Sequence, residues 1–135
     1  MLSTGLVSIS FRKLKTDEII ELVKKAGLNG IEWGGDIHVP HGDLKTAQEV
    51  GDVTRKAGLK VASYGSYYRV GANENAEKAF KDVLLSASAL NAPTIRVWAG
   101  SIGSASADEE IWTKIVEESR FIADMAQEQG ISVSY

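Results

Sequence analysis

Glu32, Arg96 and Trp98 place a carboxylate, a guanidinium and an indole on segments that read as β-strands, all on the same side of those strands by simple alternation. Such a set can hold a polar ligand. The arginine suits an anionic group, the indole stacks on a sugar face, and the glutamate hydrogen-bonds a hydroxyl. A structural role competes with this reading, with Glu32 paired to Arg96 or Arg12. His38 and His41 lie three residues apart in Gly34-Gly35-Asp36-Ile37-His38-Val39-Pro40-His41. Two histidines near an aspartate invite a metal reading, but a loop bearing glycine and proline fixes no ligand geometry. Solvent or substrate contact is the stronger expectation. Tyr64, Tyr67 and Tyr68 crowd the end of the third strand and would make an aromatic wall beside a pocket. Gly100 to Ser106 is rich in glycine and serine without the spacing of a phosphate-binding loop, and reads as a flexible lid.

These residues need elements to position them. Strand one reads as Leu6 to Ser10, strand two as Gly30 to Trp33, strand three as Lys60 to Tyr64, strand four as Thr94 to Trp98, and strand five as Ile131 to Tyr135. Helices fall between them: from Thr16 to Gly27, about Asp43 to Ala57, about Glu74 to Leu90, and from a Ser106/Glu109 capping box to about Gln129. Thr16 reads as the first N-cap, with Asp17 and Glu18 in the turn where the macrodipole favours acids. An internal repeat supports the parsing: Lys24-Lys25-Ala26-Gly27-Leu28 recurs as Arg55-Lys56-Ala57-Gly58-Leu59. Each copy closes a helix and launches a strand. Strict alternation implies parallel strands with right-handed crossovers.

Connections from helix to strand are one to three residues, whereas those from strand to helix are longer: Phe11 to Lys15, Gly34 to Gly42, Gly65 to Ala72 and Ala99 to Ala107. Long loops after the strands put the chemistry at the C-terminal face of a parallel sheet. Alternation assigns Val7, Ile9, Val61, Ile95, Val97, Ile131 and Val133 to the helix-facing side. The opposite set is Ser8, Ser10, Glu32, Ala62, Tyr64, Arg96, Trp98, Ser132 and Ser134, with Trp33 turned outward to pack under its loop. A doubly wound sheet would need both sets apolar. The polar second set favours an α/β fold of parallel (β/α)8 TIM-barrel type, here represented by about five strands and four helices in one segment, residues 1–135. A flavodoxin-like open sheet is the alternative. The last strand has no turn after it, so the expectation is a truncated barrel, because about 250 residues are typical.

Composition excludes several classes. With a net charge of −3 and 44% apolar residues, the chain has a core and no basic field for nucleic acid or an anionic membrane. No apolar run approaches the ~20 residues of a bilayer span. The start lacks a signal-peptide pattern. The absence of cysteine fits a cytoplasmic location.

Ser8-Ile9-Ser10-Phe11-Arg12, Ala26-Gly27-Leu28-Asn29-Gly30-Ile31-Glu32-Trp33, Gly58-Leu59-Lys60-Val61 and Arg96-Val97-Trp98-Ala99-Gly100 together resemble, in order, the first four strands of the xylose-isomerase-like TIM barrels, the sugar-phosphate isomerase/epimerase group. The resemblance implies a metal-dependent sugar or sugar-phosphate isomerase or epimerase that moves a proton between adjacent carbons, with a divalent metal (Mn, Mg, Co or Zn) held by carboxylates and a histidine after strands five to eight. The first such glutamate corresponds to position 136, one beyond Tyr135. No metal ligand carries over, and this chain alone is expected to bind no metal and to be inactive. The resemblance also makes His38 the better substrate contact, since the matching loop reaches over the barrel mouth. The substrate-binding set is therefore Glu32, His38, Tyr64, Arg96 and Trp98, with catalytic residues unassigned. An inosose-type dehydratase uses similar parts. An abasic-site endonuclease would need a histidine after strand three, where Tyr64-Gly65 stands. A non-catalytic half-barrel assembly module is the reading of another class. Its open strand edges predict self-association.

Overall fold

In a computed structural model that describes residues 2–135, local sequence signals place the helix boundaries. Helix α1 spans Thr16–Lys25. The Glu18 carboxylate accepts the Lys15 backbone N–H at 2.8 Å, so Thr16 is the first helical residue and not the cap. Helix α2 spans Leu44–Lys56 behind Asp43, whose carboxylate accepts from Thr46 N–H. Helix α3 spans Ala76–Leu90 behind Asn75, which accepts from Lys78 N–H. Helix α4 spans Glu109–Gln127. Its cap is Asp108, accepting from Ile111 N–H at 2.9 Å, and Ser106 instead ends a short 3-10 turn over Ser104–Ser106. The aspartate lies one residue before the helix, where a side-chain oxygen reaches the first free N–H groups.

Between the helices run β1 (Gly5–Val7), β2 (Gly30–Gly34), β3 (Lys60–Val70), β4 (Thr94–Ala99) and β5 (Ser132–Ser134). They form one parallel sheet in the order β1-β2-β3-β4-β5. Sequential order is the order of a barrel wall. A flavodoxin-like sheet would carry its second strand outside its first, so that alternative is overturned. Burial agrees. Ile31, Trp33, Tyr64, Ile95 and Val97 are closed off on one side by Ile19, Val23, Ala47, Val50, Phe80, Val83, Ala87 and Ile122 from the helices. The other side carries the more open positions Val7, Ala62, Trp98 and Ser132. Helices α2 and α3 approach closely where Gly51 meets the Leu90 carbonyl: a Cβ there would lie 2.5 Å from that oxygen.

Two strands depart from simple alternation. Strand β1 ends at Val7, and Ser8–Phe11 winds into a 3-10 turn. Leu6 is level with Ile31 and Val7 with Glu32, so Leu6 faces the helices and Val7 the open side, the reverse of the expectation. Ser8 is fully buried, not inward on a strand, and Ser10 belongs to the turn. In β3 the pairing Ile31↔Val61 is followed by Glu32↔Ser63, leaving Ala62 as an extra residue. This bulge shifts every later side chain by one position. Strand β3 also continues to Val70, through most of what the sequence suggests is a loop.

Candidate functional site at the C-terminal ends of the strands

The Ala62 bulge decides which side chains meet on the open side of the sheet. Ser63 turns to the same side as Glu32 and donates its hydroxyl to Glu32 Oε2 at 2.5 Å. Arg96, arriving from β4, donates from Nε (3.0 Å) and Nη2 (2.8 Å) to Glu32 Oε1. The pair is three-quarters or more shielded, with side-chain exposures of 25% for Arg96 and 14% for Glu32. Gly65 lies beside it because nothing larger fits: a Cβ there would stand 2.8 Å from Glu32 Oε1 and 2.9 Å from Arg96 Nη2.

Above this pair the surface is aromatic and cationic. The Arg96 guanidinium lies 5.6 Å from the Trp98 ring centroid and 6.0 Å from that of Tyr67. Arg69 lies 5.5 Å from the same indole and donates from Nη1 to the Gly100 carbonyl at 3.2 Å. Tyr67 and Trp98 are tilted neighbours at 6.3 Å. Trp98 keeps 43% of its surface open. Strand β3 supplies four steps from Gly65 to Arg69 against two from Arg96 to Trp98 in β4, and within this second irregularity Tyr67 takes a left-handed φ of 60°. That conformation is costly for a tyrosine and is the kind of local strain that collects at ligand-contacting positions. Arg12 forms an ion pair with Asp36. That hydrogen bond, more than the accompanying attraction, holds the Arg12 proton beyond the ordinary arginine range.

Alternation places Glu32, Arg96 and Trp98 together, and the structure brings them together. Tyr64 it does not. The bulge sends Tyr64 to the helix side, level with Trp33 and Ile95, where it is fully buried and donates to the Val39 carbonyl at 2.7 Å. Burial raises its pKa far above the usual tyrosine value. His38 is also withdrawn from the open side, at 7% exposure. Its Nε2 donates to the Leu14 carbonyl at 3.2 Å, so in a neutral ring Nδ1 accepts from Ser8 Oγ at 2.9 Å. Ser8 Oγ in turn accepts the Gly34 N–H. This chain of bonds pins the 3-10 turn after β1 to the loop after β2, and is the physical reason His38 does not reach over the mouth. His41 donates to the Ser66 carbonyl at 2.5 Å. Trp33 packs outward as expected and donates its indole N–H to Thr54 on α2. Tyr68 turns to the helices, edge-on to Phe80 at 5.2 Å, and donates to the buried Glu118 carboxylate at 2.7 Å; burial first, then this bond, raises its pKa.

The sequence reading missed Ser63 and Arg69. A β3 read through to Val70 would have made Arg69 a strand neighbour of Trp98. Among the described residues, no group of three or more His, Cys, Asp or Glu side chains is placed to hold a metal ion. No helix among them is long and apolar enough to cross a membrane.

Known proteins share this architecture. The probable 3-DHS dehydratase AsbF of Bacillus anthracis, involved in petrobactin synthesis, superposes with a TM-score of 0.81 at 20% identity over 98% of this chain and 51% of that one. A sugar phosphate isomerase/epimerase of Parabacteroides distasonis gives 0.74 at 18% identity over 97% and 49%. A D-psicose 3-epimerase determined in the presence of D-fructose gives 0.73 at 20% identity over 98% and 51%. The chain thus spans about half the length of each of these barrels. No curated protein matches it by sequence. The profile of one family matches residues 20–135, from within α1 through every later element, and on that match the chain belongs to the xylose isomerase-like TIM barrel family.

Proposed function

We propose that this chain supplies the substrate-holding side of an isomerase or epimerase site for a small sugar or sugar phosphate, in a protein that moves a proton between adjacent carbons. The observation that carries the reading is the Glu32–Arg96 pair beneath an exposed indole on the open side of the strands. Trp98 offers an apolar face to the C–H side of a sugar ring, and Arg96 retains Nη1 for an oxygen of the ligand. Glu32, whose two oxygens already accept from Arg96 and Ser63, holds the guanidinium in place. Arg96 and Trp98 are thus the proposed substrate contacts, with Glu32 positioning the guanidinium. A divalent metal belongs to this reading, with ligands from outside the described residues. Because the chain spans about half of its structural neighbours, it is proposed to bind substrate weakly and to be inactive alone. The cytoplasm is the proposed location, on the absence of cysteine.

Titration of the chain with D-fructose, followed through the Trp98 indole N–H resonance, tests the reading. Saturable shifts that vanish in Trp98→Ala and weaken in Arg96→Gln are expected. A flat response to D-fructose and to a panel of sugars and sugar phosphates would remove it.

The unpaired edges of β1 and β5 favour a second reading, an assembly module that closes its sheet against another copy. The flank of α4 bearing Trp112 and Val116, 47% and 42% exposed, adds apolar surface to that reading.

A further inference from the structure

The open side of the sheet carries more arginine than carboxylate. Arg12 is matched by Asp36 and Arg96 by Glu32. Arg69 has no carboxylate partner among the described residues: its contact is one backbone carbonyl, that of Gly100, through Nη1. Its Nε and Nη2 make no hydrogen bond to a described residue, and neither does Nη1 of Arg96. Both guanidiniums lie against one indole, at 5.5 and 5.6 Å from the Trp98 centroid. Stacking against an aromatic face removes rotamer freedom from a guanidinium while leaving its in-plane N–H groups available. Two such forks around one half-open ring therefore present pre-organised donors, Nε and Nη2 of Arg69 and Nη1 of Arg96, that no described residue accepts from. The strained Tyr67 backbone lies two residues before Arg69, inside the irregular stretch of β3 that brings this arginine level with Trp98.

We propose that Arg69, together with Arg96, forms an oxyanion subsite beside Trp98, so that the substrate of this site carries a carboxylate or phosphate group. The inference rests on the proposed substrate-holding role of this face and narrows it to anionic substrates. Arg69 supplies Nε and Nη2, Arg96 supplies Nη1, and Glu32 keeps Arg96 from swinging out to solvent. The net positive balance here contrasts with the chain's overall charge of −3, so the attraction is local to this face.

NMR titrations of the chain at constant ionic strength, with sodium phosphate, sodium acetate and uncharged D-fructose in parallel, test this. Saturable shifts at the Arg69 Nε–H and Trp98 indole N–H are expected with at least one of the two anions. Affinity should fall about tenfold in Arg69→Gln, as for loss of a charge-assisted hydrogen bond, fall less in Arg69→Lys, and hold in the surface control Lys45→Gln. Tighter phosphate binding assigns a phosphate ester, and tighter acetate binding a carboxylate. Shifts that fail to saturate, that spread over surface lysines, or that survive in Arg69→Gln would overturn the proposal. Binding of D-fructose without either anion would end the oxyanion subsite and leave the sugar-site reading standing; binding of none of the three would end both.

Discussion

At the scale of single residues, the site and the core use the same rule: a buried polar atom is kept only where it has a partner. Glu32 meets it with three donated hydrogen bonds, two from Arg96 and one from Ser63. Glu32→Gln removes the charge but not the shape, and should lower unfolding free energy by about 1–3 kcal/mol, measured by urea denaturation, with Ser63→Ala costing less. Thr54 shows the same economy in the core. It accepts from Trp33 Nε1 at 3.1 Å and donates to the Val50 carbonyl at 2.7 Å. Thr54→Val keeps the volume and strands the indole N–H, so a loss of about 1–3 kcal/mol is expected by the same measurement. Tyr64 and Tyr68 respond to pH. Their pKa values are raised by burial from the ordinary 10.0, so the unfolded chain releases these protons first. Their contribution to stability is complete below pH 10 and declines as pH rises above it. Absorbance at 295 nm should show Tyr64 and Tyr68 ionising only together with alkaline unfolding; early, reversible ionisation of all four tyrosines of the chain would contradict their burial.

At the scale of elements, caps and bulges decide more than propensity. Asp108→Ala should destabilise the chain by about 1 kcal/mol, and Ser106→Ala by a few tenths, in thermal or urea unfolding; the reverse order would return the cap to Ser106. The helices were legible because their apolar spacing and glycine stops are local signals, and the repeated Ala-Gly-Leu junction marks the same event twice. Parallel strands followed from strict alternation, and the barrel order from the polar set of side chains on the second face. Glu32, Arg96 and Trp98 were legible because β2 and β4 carry no irregularity between Glu32 and its neighbours on the chain or between Arg96 and Trp98. Tyr64 was not, because a one-residue bulge leaves no mark in composition and reverses the face of everything after it. His38 was missed for another reason. Its two partners, Ser8 and the Leu14 carbonyl, are remote in sequence, and only the fold shows that both its nitrogens are engaged. Arg69 was hidden by ending β3 at the first glycine, although Gly65 sits in mid-strand as the residue that makes room for the ion pair.

At the scale of the whole molecule, one helix-covered face and one open face make the sheet an arc of barrel wall whose β1 and β5 edges have no strand partner among the described residues. From such edges and the exposed apolar flank of α4, the assembly reading predicts a concentration-dependent mass in sedimentation velocity or light scattering, with Trp112→Lys shifting the equilibrium toward monomer. A mass that stays monomeric at high concentration would argue against the assembly reading. The extra residue at Ala62 has a consequence for how this wall could change its chemistry. Were Ala62 instead to pair regularly with Glu32, a phenol would swing into the hollow beside that carboxylate and the serine hydroxyl would turn to the helices, whereas deleting Ala62 keeps Ser63 opposite Glu32 and Tyr64 opposite Trp33. Holding one residue as a bulge or taking it into the ladder thereby exchanges the lining of the cavity more thoroughly than any single substitution, so the decisive differences among related walls are to be sought in pairing register as much as in residue identity.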